Sequence, residues 1–175
     1  KWIVIFAPLV AVFIVTPVLA NDPSPPVAMA ALHGFAALMG LSFATIFVIY
    51  TLGSIFTAFM GAAVLFGVMS FYGYFTKRSL EGMGSFLFVG LIAIIIASLI
   101  NLFVGSTVMQ MVISAIAILI FLGFTAYDTQ QIRENISVES GISVEIMGAL
   151  QLYLDFINLF INLLQLFGIA KGNDD

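Results

Sequence analysis

The residue of this sequence that most clearly points to chemistry is an acid inside a long apolar stretch. Asp155 lies within the last such stretch, Ile146 to Ala170, about 5 Å from its centre at a helical rise of about 1.5 Å per residue. An ionised carboxylate at that depth of a bilayer costs at least about 2.5–3.5 kcal/mol, so it must face protein or water. The chemistry open to such a group is proton binding or cation binding.

Asp155 belongs to a polar stripe along one face of the predicted helix. Steps of three and four residues place six positions on that face: Gly148, Gln151, Asp155, Asn158, Asn162 and Gln165. An amide that faced lipid would lack hydrogen-bond partners, so we expect the stripe to point into a helical bundle. The amides alone would only hold helices together, but the acid at the centre favours a hydrated or proton-binding site.

The preceding apolar stretch carries a weaker version of this pattern. Four polar residues lie within about 60° of one another on a helix: Gln110, Ser114, Thr125 and Asp128. Asp128 closes its stretch, so hydropathy places it near the membrane boundary, roughly 10 Å from the depth of Asp155. Contact between the two acids would require a tilt of the helices, a last helix that lies deeper in the membrane, or an extension of the fifth helix into Thr129–Glu134.

Six apolar stretches must position these acids. They cover about residues 2–20, 27–51, 55–75, 84–103, 108–127 and 146–170. Each is long enough for a helix to cross a hydrocarbon core of about 30 Å, and none alternates as the strands of a membrane barrel do. The first stretch has features of a secretory signal, but its length, its two prolines and the five later stretches favour a span. The sequence therefore predicts one all-α domain, 1–175, folded as a polytopic transmembrane helical bundle.

The composition excludes most soluble functions. Hydrophobic residues make up 62% of the chain and charged residues 8%, against about 45–50% and 25% in soluble proteins. A net charge of −4 without a basic stripe argues against nucleic-acid binding. No hydrolase or metalloprotease motif is present, so we expect no enzyme activity and no bound cofactor. His33, one turn inside the second stretch, is interpreted as a packing or interfacial residue.

The basic residues favour one orientation. One face of the bundle collects Lys77, Arg78 and Arg133, whereas the other has only Lys1 and Lys171. This bias predicts that the 76–82 and 129–145 connections lie in the cytoplasm.

Several segments resemble the Bax inhibitor family (TMBIM or Lifeguard-like proteins), and most closely its bacterial branch. The longest is 147–164, built around Leu-Tyr-Leu-Asp-Phe-Ile-Asn-Leu-Phe at 152–160. Shorter matches lie at 125–130 (Thr-Ala-Tyr-Asp-Thr-Gln), 69–78 and 41–47. The resemblance covers residues 27–170 well and the first stretch loosely.

The resemblance implies a fold of seven helices with the last one at the centre. This chain shows six spans of the expected seven, so we expect it to lack the first family helix. The resemblance also implies an integral protein of the bacterial inner membrane.

The resemblance further implies a pH-sensitive leak of calcium or other cations. In the family, two aspartates on the last two helices are proposed to share a proton and to act as pH sensor and gate. By motif position they are Asp128 and Asp155, which would also be the metal ligands for passing calcium. Gln151, Asn158 and Asn162 would then line the pore as its polar stripe. Some members pair the aspartates with basic residues, but the corresponding turn here, Asn21-Asp22-Pro23, has none.

Two other functions stay open. The protein could be regulatory and act by binding, for example as a modulator of a membrane-bound protease. A membrane-embedded enzyme has only the aspartate pair in its favour. The expected partners are the lipid bilayer, calcium or other cations and, for the regulatory function, a membrane protease, with no nucleic acid among them.

Overall fold

The protein is a bundle of long helices. The computed structural model describes the backbone of residues 2–21, 23–138 and 141–172, and side chains at 11–21, 23–138, 141, 142 and 144–168. The helices are α1 (Trp2–Ala20), α2 (Pro25–Phe43), α3 (Ile46–Ile49), α4 (Leu52–Phe75), α5 (Glu81–Val104), α6 (Thr107–Val138) and α7 (Ile142–Gly172). Five segments with described side chains are long and apolar enough to cross a membrane: Pro25–Ile49, Leu52–Phe75, Glu81–Val104, Thr107–Val138 and Val144–Gly168. The predicted polytopic helical bundle is confirmed.

The helices alternate in direction, which defines two ends of the bundle. The α4–α5 and α6–α7 connections lie at the end predicted to be cytoplasmic, called the inner end below. The α5–α6 connection lies at the other, outer end, where Gly105 adopts a left-handed conformation with φ 67° and terminates α5. Of the residues used to predict orientation, Lys1 and the side chain of Lys171 lie outside the described residues, as does Asp22 of the first turn.

The second predicted span, 27–51, is interrupted. α2 ends at Phe43, a turn follows, and α3 adds a single helical turn. The Ser42 hydroxyl donates to Leu38 O at 2.9 Å, and the Thr45 hydroxyl donates to Ser42 O at 2.9 Å. Hydroxyls that bond back to the preceding turn bend helices. The break therefore lies where two hydroxyl residues interrupt the apolar run.

The last two long helices extend well beyond the predicted spans. The prediction of a polar connection over 129–145 is wrong, because α6 continues to Val138 and α7 begins at Ile142. The polar side chains of this segment bind neighbouring segments. Buried Gln130 accepts from Leu80 N and donates to Arg78 O, both at 2.8 Å, and so fixes the α4–α5 connection against α6.

Arg133 makes a second anchor at the inner end. Its guanidinium donates to Tyr74 O, in the last turn of α4, and lies 6.0 Å from the centre of the Tyr74 ring. A cation at a helix C-terminus satisfies its unpaired carbonyl groups and interacts favourably with the helix dipole. The polar residues at 129–138 thus belong to a helix, and they fix α6 to α4.

The last helix occupies the centre of the bundle. α7 packs against α1, α2, α4 and α6, while α5 packs on α6. Helix α7 contributes to two hydrophobic cores. The first core contains Leu159 and Leu164 of α7 with Ala58 of α4, and the second contains Leu150 of α7 with Phe35 of α2. The predicted central position of the last helix is confirmed.

Helices α4 and α6 approach each other closely at Gly73. A Cβ at position 73 would overlap the carbonyl oxygen of Ala126, so only glycine permits this contact. Ala126 lies two residues before Asp128, so the approach also sets where that acid sits.

Replacing Gly73 by alanine should therefore destabilise the protein. The backbone of α6 must shift to admit the methyl group, and overpacking of this kind costs about 1–3 kcal/mol. Thermal unfolding in detergent, followed by circular dichroism, should show a lower Tm. The matched control is Gly67→Ala on the same helix, where a Cβ meets nothing within 4 Å. That control should retain the parent Tm or raise it slightly, and equal Tm values for both variants would contradict the close approach.

Candidate functional site

The helix extension at the inner end brings the two predicted acids to one depth. Asp128 lies ten residues before the end of α6, and Asp155 lies thirteen residues after the start of α7. These spacings place them roughly 15 and 20 Å from the inner ends of their helices. Of the three ways in which the acids could meet, the structure adopts the extension of α6.

The carboxyl groups of Asp128 and Asp155 lie within hydrogen-bonding reach of each other. Asp155 is buried, with 4% of its surface exposed, and Asp128 is half-buried. The Oδ2 atom of Asp155 is buried and has no hydrogen-bond donor among the described residues. Because ionised carboxylates only accept hydrogen bonds, a bond between these two requires one shared proton.

Hydroxyl groups hold this part of α6 in place. Fully buried Thr125 donates to Phe121 O at 2.7 Å. One turn later, the Thr129 hydroxyl donates to Thr125 O at 2.6 Å and lies 3.4 Å from the Ser70 hydroxyl of α4. The two threonines flank Asp128, which is therefore carried by a backbone fixed against α4.

The predicted polar stripe of α7 divides into three parts. In the middle, Asn158 Nδ2 donates to Leu154 O and Asn162 Nδ2 donates to Asn158 O, both at 2.8 Å. Both asparagines are half-buried, and their side-chain oxygens have no donor among the described residues. These oxygens continue from Asp155 along α7 towards the outer end.

Towards the inner end, the predicted stripe is not buried throughout. Gly148 packs against Ile132, but Gln151 is exposed. At this end α7 buries Ile146 and Leu150 in the core shared with α1 and α2. That orientation leaves Gln151 exposed, and its side chain makes no hydrogen bond among the described residues.

Towards the outer end, the stripe joins a hydrogen-bonded group that we call the outer amide cluster. It consists of Asn101, Gln110, Ser114 and Gln165. Gln165 Oε1 accepts from Gln110 Nε2 at 2.9 Å and from the Ser114 hydroxyl at 3.2 Å. Asn101 Nδ2 donates to Gln110 Oε1 at 3.3 Å. Asn101 was not among the predicted site residues, although its position as an amide in the apolar stretch 84–103 was a signal for it.

The acid pair offers few ligands to a metal ion. Within the described residues, no group of three His, Cys, Asp or Glu side chains comes together. Calcium takes about six to eight oxygen ligands, so water or the Asn158 side-chain oxygen would have to complete its shell. His33 is exposed and its Nδ1 lies 2.7 Å from Met29 O, in keeping with its interpretation as an interfacial residue.

Comparison with known proteins gives consistent matches. Residues 1–172 match the family described as "Inhibitor of apoptosis-promoting Bax1". "Inner membrane protein YbhL" of Escherichia coli K12 is 45% identical over 140 residues, which are 77% of this chain and 60% of that protein. An uncharacterized protein of Deinococcus radiodurans is 42% identical over 164 residues, 91% of this chain and 71% of that one.

A third relative comes from Streptococcus pyogenes. The membrane protein SpyM3_0260 of Streptococcus pyogenes is 44% identical over 154 residues, 85% of this chain and 66% of that protein. This chain spans only about 60% of the length of YbhL. The matches and the apolar helices agree on an integral protein of the bacterial inner membrane. The chain belongs to the Bax inhibitor family.

Proposed function

We propose that the protein is a pH-sensitive leak pathway for calcium or other cations, with Asp128 and Asp155 as its gate. The observation that carries the proposal is the contact between their two carboxyl groups inside membrane-crossing helices. The contact joins α6 to the central helix, so a change in it moves the element against which most of the bundle packs.

The pair with one proton is the closed state. A carboxylic acid that donates to a carboxylate forms a short, charge-assisted hydrogen bond, which is about twice as strong as a neutral one. This bond ties α6 to α7 and gives the buried Asp155 carboxyl group a hydrogen-bond partner on the neighbouring helix. The charge left in the membrane is then a single one, shared by two side chains.

Loss of that proton favours the open state. Two unit charges about 4 Å apart repel by about 4 kcal/mol at an effective dielectric constant of about 20. This exceeds the roughly 1.5–3 kcal/mol gained from a hydrogen bond to a charged group. The helices must separate, or a cation must enter between the carboxylates, and either event opens a route for positive ions. A rise in pH therefore increases the leak.

The path beyond the acids suits cations. The side-chain oxygens of Asn158 and Asn162 follow Asp155 along α7 and have no donors among the described residues. Calcium binds carboxylate and amide oxygens, whereas an anion would be repelled by the acid pair.

The direct test is calcium flux in vesicles that contain the protein and a calcium dye. The parent should leak several-fold faster at about pH 8 than at about pH 6, because the shared proton is lost as the pH rises. Asp155→Asn cannot ionise, and its amide can donate to the Asp128 carboxylate. This variant should therefore leak slowly at both pH values.

A matched control separates this effect from a general loss of charge. Glu145→Gln makes the same acid-to-amide change on the same helix at an exposed position, and should keep the parent pH profile. The gate is refuted if Asp155→Asn leaks like the parent at both pH values.

A second candidate function is regulation by binding, for example of a membrane-bound protease. Its support is the tip of the long α6–α7 hairpin, where Ile136, Val138 and Ile142 are exposed beyond the anchors of the inner end. Exchange of the whole 129–145 segment would remove Gln130 and Arg133, so point substitutions at the tip are the cleaner test.

The double variant Ile136→Ser, Val138→Ser should separate the two functions. If the tip binds a protease, its co-purification from membranes should fall several-fold while calcium flux stays unchanged. Equal recovery with parent and variant would exclude the tip as the binding surface.

A further inference from the structure

We infer that the protein has a second barrier, an uncharged outer gate formed by the outer amide cluster. The inference rests on the proposed function in one respect, namely that ions move along α7. It adds residues at the end opposite to the acid pair, and these act independently of pH.

The outer amide cluster lies at the end of α7 opposite to the acid pair. Gln165 lies ten residues beyond Asp155 on α7, roughly 15 Å towards the outer end. Gln110 lies three residues after the start of α6, and Asn101 three residues before the end of α5. A cation that passed the acids would therefore reach this cluster near its exit.

The hydrogen bonds of the cluster link three helices. Gln165 Oε1 accepts from two α6 side chains, and Gln110 in turn accepts from Asn101 of α5. Three helices are thus tied together by side chains alone. Asn101 Oδ1 also accepts from Ser106 N at 3.0 Å, which fixes the cluster to the α5–α6 connection. Ser114 is fully buried and Asn101 is 7% exposed, so the links close the space between the helices.

Between the acid pair and the outer amide cluster, α7 carries free side-chain oxygens, whereas α6 is apolar. On α7, the free oxygens of Asn158 and Asn162 lie between Asp155 and Gln165. On α6, the buried residues between Ser114 and Thr125 are apolar: Ala117, Ile118 and Phe121. Among the described residues, side-chain hydrogen bonds between α6 and α7 reappear only at the outer amide cluster. The row of free side-chain oxygens on α7 therefore ends at the hydrogen-bonded outer amide cluster.

The chemistry of the cluster suits a gate. Gln165 Oε1 is held by two donors in the closed state, and the same oxygen becomes a ligand for a hydrated cation when those donors move away. Its four side chains do not titrate, so the cluster should set the basal leak, whereas the acid pair sets the pH dependence.

Thiol labelling tests this gate without measuring ion flux. The 175 residues contain no cysteine, so Asn162→Cys introduces a single thiol, which lies between the acid pair and the outer amide cluster. A membrane-impermeant thiol reagent is added on the outer side of vesicles. In the otherwise unchanged protein, this cysteine should be protected. With Gln165→Ala added, it should react at least about tenfold faster, because two hydrogen bonds are lost.

Conservative substitution and position controls complete the design. Gln165→Glu keeps oxygen acceptors for Gln110 and Ser114 and should restore protection. Thr107→Cys, exposed at the outer end, should react from that side, and Ser79→Cys, exposed at the inner end, should not. If Gln165→Ala does not fold, Ser114→Ala removes one donor and should give a smaller increase in rate.

Two outcomes would overturn the outer gate. One is rapid labelling of Asn162→Cys from the outside in the otherwise unchanged protein. The other is continued protection in a folded Gln165→Ala variant, which would leave the cluster with a purely structural role. Neither outcome depends on whether Asp155→Asn changes calcium flux, so the outer gate and the acid gate can fail separately.

Discussion

The contact between the Asp128 and Asp155 carboxyl groups is the interaction on which the rest of the structure depends. Two acids inside membrane helices are tolerated when they share a proton, and sharing requires that α6 and α7 present them at the same depth. The long α6 meets that requirement, and its inner part is held by Gln130 and Arg133. Gly73 lets α4 support the same segment from the side. Much of the inner half of the bundle thus serves to position one pair of side chains.

The acid pair and the outer amide cluster use polarity in different ways. In the proposed mechanism, the pair changes charge with pH at a position where a charge is costly, so its protonation would move helices. The cluster is uncharged, and its bonds break only by exchange for water or an ion. Between them, α7 turns its asparagine nitrogens to its own backbone and leaves the oxygens free. The central helix would therefore provide a route with a barrier at each end, of which only one responds to protons.

The sequence alone predicted much of the bundle, but its predictions failed where polar residues make contacts between helices. Asp155 could be singled out because an acid within an apolar run has few explanations. Asp128 could not, because hydropathy ended its span at Tyr127 and treated 129–138 as a loop. Those polar residues bind the α4–α5 connection and the end of α4, contacts that no local pattern encodes. Only the family resemblance paired the two acids. The exposure of Gln151 was not predicted, because it depends on which side of α7 meets α1 and α2.

The central claim is that Asp128 and Asp155 hold one proton between them in the closed state. Infrared difference spectroscopy of the reconstituted protein measures this directly, through the C=O stretching band of a protonated carboxyl group. The account predicts that one such group is lost as the pH rises over the range in which the leak increases. The band should be absent from that difference spectrum in Asp155→Asn. Two ionised carboxylates at the pH where the protein is closed would contradict the account.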